Sequence, residues 1–143
     1  MPRLFVESDA PEPLPIQFHT DPRDLLALLS FGVAAPFGSM HPLTQLVRHL
    51  TEECQLDLAP LLTFYDREVA DAVDAANLAA AWQPATPLRD CVAAARAAIA
   101  ADERAGALLA GFESIPALLA DLERMAQWAA DRGARIRLSF SLT

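Results

Sequence analysis

The chain reads as an α+β domain, predominantly helical, with about five helices and a small antiparallel sheet formed by the C-terminal strand and the N-terminal arm. Three observations predict this. Proline-anchored helix starts recur at Asp21-Pro22, His41-Pro42 and Thr86-Pro87. Residues 135–142 alternate apolar and polar side chains with a period of two, the mark of a strand with one buried face. A lone strand leaves its backbone groups unsatisfied, so it needs the N-terminal arm or another chain beside it. At 143 residues the chain has the length of one domain, 1–143. It divides into an extended arm over 1–20, a helical body over 21–134 and the strand over 135–142.

In the arm, Pro2, Pro11, Pro13 and Pro15 exclude helix. Leu4 and Val6 alternate, as do Leu14, Ile16 and Phe18, so one or two short strands are expected there. Asp21 then serves as N-cap and Pro22 as first helical residue. Leu25, Leu26, Leu28 and Leu29 follow, and Gly32 is placed to end that helix. Residues 31–40 (FGVAAPFGSM) form an apolar loop in which Gly32, Pro36 and Gly38 read as turn formers.

A second helix opens at His41-Pro42 and puts Leu43, Leu46, Val47, Leu50 and Cys54 on one face. A third is expected from about Pro60 to Trp82. Thr86-Pro87 opens a fourth, with Leu88, Cys91, Val92, Ala95 and Ile99 as its stripe. Gly106 and Gly111 bound a short helical piece. Ser114 caps the last helix, whose inward residues are Ile115, Leu118, Leu119, Leu122, Met125 and Ala129, with Gly133 just past its end.

About half of the residues are apolar, enough for a core without staples. No apolar run reaches the ~18 residues of a membrane span, and the first residues lack an apolar signal core. A cytoplasmic protein with two reduced thiols, Cys54 and Cys91, is therefore expected. The net charge is −8, and all eleven cations are arginine. Without lysine there is no P-loop lysine, no Schiff base and no Ser-Lys dyad. An acidic chain without a basic cluster also suits a basic partner better than nucleic acid.

No catalytic or metal motif emerges. His19, His41 and His49 all lie in the first third, without HExxH or ExxH spacing, so no metal and no cofactor are expected. The polar residues His19, Asp21, Arg23 and His41 flank the apolar loop and form the best candidate for a ligand or catalytic site. Arg89 and Arg96, seven apart on the fourth helix, form a candidate anion contact. The acidic run Asp66, Glu68, Asp71 and Asp74 reads first as a solvated face.

The expected third helix carries the most information. Leu62, Tyr65, Val69, Ala72, Val73, Ala76 and Ala80 share one side, while Phe64, Leu78 and Trp82 project from the other with Asp71 among them. Two apolar stripes mean a central helix or one whose back meets a partner. Trp128 sits at the polar margin of the last helix, a common place for an interface anchor. Phe64, Asp71, Leu78, Trp82 and Trp128 are thus the interface candidates. These features favour a protein–protein interaction module such as an adaptor, inhibitor or immunity-type protein, rather than an enzyme. A small ligand-binding domain or enzyme near 31–40 is one alternative. A homodimer or larger homo-oligomer is the other.

Overall fold

The C-terminal strand finds its neighbour in the N-terminal arm. β4 (Arg135–Ser141) pairs antiparallel with β1 (Arg3–Ser8), from Arg3 against Ser141 to Ser8 against Ile136. The structure is a computed structural model that describes residues 2–37 and 40–142; Gly38 and the side chain of Phe37 lie outside the described residues. Between the paired strands run α1 (Arg23–Val33), α2 (Pro42–Glu52), β2 (Phe64–Asp66), α3 (Ala72–Ala80), β3 (Trp82–Pro84), α4 (Ala85–Ala101), α5 (Glu103–Leu108) and α6 (Ile115–Asp131). Among the described residues this gives six α-helices and a mixed sheet of four strands, a helix-dominated α+β fold. β2 and β3 share the second edge of β4, β2 parallel along Leu138–Phe140 and β3 antiparallel along Arg135–Arg137.

The proline-led starts hold, with small shifts in register. Asp21 Oδ1 accepts the Arg23 main-chain N–H at 3.1 Å. His41 caps α2, its Nδ1 accepting the Leu43 N–H at 3.1 Å. α4 begins at Ala85, so Pro87 sits inside its first turn, where no helical partner is lost. Gly32 does not stop α1, which runs on to Val33. Its role is close approach: a Cβ at Gly32 would lie 2.7 Å from Leu62 Cδ2. Gly106 lies within α5, which Asp102 caps through the Ala105 N–H. Ser114 precedes α6 but its hydroxyl donates to Asp24 of α1 at 2.9 Å, tying two helices together. Gly133, at φ 64°, closes α6 in the left-handed conformation.

The core is built from the expected stripes. Leu43, Leu46, Val47 and Leu50 of α2, Leu88, Cys91, Val92, Ala95 and Ile99 of α4, and the six named residues of α6 are all buried. Each fully buried leucine or isoleucine contributes ~1.5–3 kcal/mol through loss of water contact. Ile136 and Leu138 of β4 and Leu4 of β1 close this core from the sheet side. Leu14, Ile16 and Phe18 also rest against it, but as unpaired coil rather than a second strand.

The third helix is the main departure from expectation. Residues 60–82 form a strand, a turn, a shorter helix and a second strand instead of one rod. Aromatic residues at 64 and 65 suit a pleated sheet, and pairing with β4 satisfies their backbone. Asp71 then starts α3 afresh. Its Oδ1 accepts the Asp74 N–H at 2.9 Å, while Asp74 Oδ2 reaches back to the Ala70 N–H at 3.1 Å.

The polar face of β4 is covered in its middle, although Arg135 at its start is exposed. Ser139 is fully buried and Arg137 is largely covered. The Glu7 carboxylate accepts from Arg67 at 2.6 Å and from Arg137 at 3.1 Å, across three strands and a turn. Arg67 lies over the Phe5 ring and Arg137 over the Trp82 indole.

Candidate functional site

The break in the third helix reassigns its two apolar stripes. Phe64 turns inward on β2, packs on the core and meets Phe140 edge-on at 5.6 Å. Trp128 likewise rests on the core, with the Arg132 guanidinium 3.9 Å over its ring. Both thus turn part of their surface to the core and keep the rest at the surface. Asp71 is the N-cap of α3. Trp82 is half-buried on β3 beneath Arg135 and Arg137, and Leu78 is half-buried on α3; neither belongs to the core cluster. Conversely, of the stripe on the other side only Leu62 packs on the core, and from Tyr65 onward it points outward. Val73 is 67% exposed, Val69 49% and Tyr65 38%.

No residue of α3 is buried. This is unusual for a helix of composition AVDAANLAA, which lacks the charged face a surface helix carries. It touches β2 and β3 alone among the elements it contacts closely. Ala72, Val73, Ala75, Ala76, Ala79 and Ala80 are all exposed, and with Val69 and Tyr65 they extend an apolar strip along the sheet edge. Carboxylates rim its N-terminal end: Asp66, Glu68, Asp71 and Asp74. Asp66 and Asp71 each cap a neighbouring main-chain N–H, so their charges are held in place by the turn.

The other polar candidates are given separate partners. His19 belongs to α6: its main-chain N–H donates to Asp121 Oδ2 at 2.9 Å, and its Nδ1 lies 2.6 Å from Asp121 Oδ1. Arg124 also donates to that carboxylate. Burial alone would push the Asp121 carboxyl up. The His19 main-chain and ring bonds, with the positive charges nearby, outweigh it and hold the group below the usual carboxylate value. Asp21 is used at the start of α1, and Arg23 is exposed. His41 stacks on Phe31 at 3.7 Å while capping α2. The loop 31–40 does border a cavity of about 560 Å³, walled by Gly32, Ala35, Val47, Leu58 and Leu62, but none of the four polar candidates lines it. Arg89 and Arg96 are answered within the chain, Arg89 by Asp90 and Gln127 and Arg96 by Glu123 at 2.9 Å.

No protein-family model matches the chain, and no curated protein or solved structure matches it either. What the molecule does must be argued from its own surface.

Among the described residues one group combines side chains able to hold a metal: His49, Cys54 and Asp102. Cys54 was expected on the apolar face of α2. The helix ends at Glu52, and Gln55 turns the chain at φ 55°, so the thiol is only half-buried at the edge of the core, where it meets Asp102. Burial, then the Asp102 charge, pushes that thiol's pKa up, which disfavours a nucleophilic thiolate. No helix among the described residues is long and apolar enough to cross a membrane.

Proposed function

We propose that this protein is a protein–protein interaction module that docks a partner through α3 and the adjoining strip of Tyr65, Val69 and Val73. The observation that carries this reading is a nine-residue apolar helix none of whose residues is buried by its own chain. Contiguous exposed apolar surface is a recognised mark of contact sites.

The charge pattern selects the partner's chemistry. An apolar centre fringed by Asp66, Asp71 and Asp74, on a chain of net charge −8, fits an apolar surface rimmed by arginine or lysine. A homodimer that sets the two α3 helices parallel would bring one acidic fringe against its copy, which opposes that arrangement. A cytoplasmic setting suits the two free thiols.

Val73→Arg tests this reading. The side chain is exposed, so folding stability should change by less than about 0.5 kcal/mol. Affinity for a salt-sensitive partner recovered from the native source should fall at least ~10-fold, because the new charge removes apolar contact and repels the basic rim. Ala107→Arg on exposed α5 serves as the control and should bind as wild type. Calorimetric titration of the purified pair, with sedimentation of the free chain, reads the result. A chain that retains no partner, a partner bound equally after Val73→Arg, or a free chain that dimerises through α3 would each contradict the assignment.

A further inference from the structure

We propose that His49, Cys54 and Asp102 bind a zinc-class divalent cation. The three residues come from separate places in the chain: the last turn of α2, the turn after it and the N-cap of α5. One ligand atom from each lies within 4.8 Å of the other two. His49 Nε2 is 2.9 Å from Asp102 Oδ1, and Cys54 Sγ is 3.8 Å from Asp102 Oδ2. Ligand atoms around a tetrahedral zinc stand about 3.3–3.8 Å apart, given metal–ligand bonds of roughly 2.0–2.3 Å. Small side-chain rotations therefore bring all three onto one centre.

The donor set chooses the ion. Sulfur, imidazole nitrogen and carboxylate oxygen together suit borderline-soft zinc, whereas magnesium and calcium require oxygen ligands throughout. Binding displaces the Cys54 thiol proton to solvent, and sulfur joins the metal as thiolate. Three protein ligands leave a fourth position. Of the three ligands only His49 borders the neighbouring cavity of about 540 Å³, where Arg48 and Arg104 are balanced by Glu52 and Glu53. Water would complete the coordination.

A cap-only role for Asp102 is the competing explanation, since it already accepts the Ala105 N–H at 3.0 Å. That role accounts for Asp102 alone and leaves unexplained why the His49 ring and the Cys54 thiol converge on the same carboxylate. The metal reading uses all three side chains. It also departs from the expectation of no metal, which rests on the missing HExxH and ExxH spacing.

Cobalt(II) added to the reduced full chain tests the assignment. One equivalent should bind and produce a thiolate-to-cobalt charge-transfer band in the near ultraviolet, removed by one equivalent of zinc. Cys54→Ser should abolish the band and weaken zinc binding by ~10- to 100-fold. Cys91→Ser, at the buried thiol that donates to the Asp57 carbonyl, should change neither. Asp102→Asn keeps the helix cap but should still weaken zinc. The band is read on the unaltered protein, so a misfolded variant cannot hide the answer. No band with the wild-type chain, or equal zinc affinity after Cys54→Ser, would overturn the site.

Discussion

Leu122→Ala should lower the unfolding free energy by about 3 kcal/mol, with the urea midpoint falling and the slope of the transition unchanged. Leu122 is fully buried on α6, and α6 with α4 forms the most extensive helix pair in the fold. The pair packs alanine against leucine: Ala95 of α4 and Ala126 and Ala129 of α6 are all buried, so the helices approach closely. A cavity left at Leu122 among fully buried core side chains collapses only in part, and the cost follows its volume. Leu122→Met, which conserves volume, should cost less than about 1.5 kcal/mol. A loss below about 1 kcal/mol for the alanine variant, on the order of a surface substitution, would mean that the inward face of α6 is not core.

Asp121→Ala should destabilise the molecule by about 2 kcal/mol at neutral pH, through loss of charge-assisted bonds from a buried carboxylate. That carboxylate is the clip for the proline-rich arm, since its two oxygens receive the main chain and ring of His19 and the Arg124 guanidinium. Its folded-state pKa lies below the usual value, so the unfolded state takes up the proton first as pH falls. The stabilisation is therefore complete well above pH ~4 and disappears as acid titrates the folded group. Urea unfolding of wild type and Asp121→Ala at pH 7 and at about pH 3 should show a gap that narrows in acid. Limited proteolysis of the variant should cut within residues 10–18 faster than wild type. A gap that is constant with pH would assign the effect to packing alone.

The helices α2, α4 and α6 and the strand β4 were legible because each repeats its pattern for three turns or seven residues. Leu88, Cys91, Val92, Ala95 and Ile99 can lie on one side only if the segment is helical. Residues 60–82 repeat no such pattern. Leu61-Leu62-Thr-Phe-Tyr65 is short enough to satisfy either period, and alanine at 75, 76, 79, 80 and 81 marks helix without marking a face. The signal that was present is Asp71 followed by Asp74, a reciprocal cap that starts α3. Taking that start would have released 64–66 for the sheet.

The same misplacement hid much of the candidate surface. Val69 and Val73 were placed on the inner stripe because one continuous helix put them in line with Leu62. Once the rod is broken, Phe64 is core and Val73 is outside. The covered polar face of β4 was illegible for a different reason. Arg137 and Ser139 are hidden by Glu7 and Arg67, from segments far away in sequence, and alternation cannot report what crosses over a strand. Cys54 and Asp102 are similarly distant, 48 residues apart, so their meeting depends on how α2 packs beside α5.

The measurement closest to the central claim is amide hydrogen exchange along α3 in the free chain and in the complex with its partner. A helix that its own chain leaves uncovered opens locally at small cost. Amides of residues 75–80 should exchange orders of magnitude faster than those of α4 and α6 when the chain is alone, and slow markedly when the partner is bound. Protection of α3 equal to that of α6 in the free chain, or no slowing on binding, would contradict it.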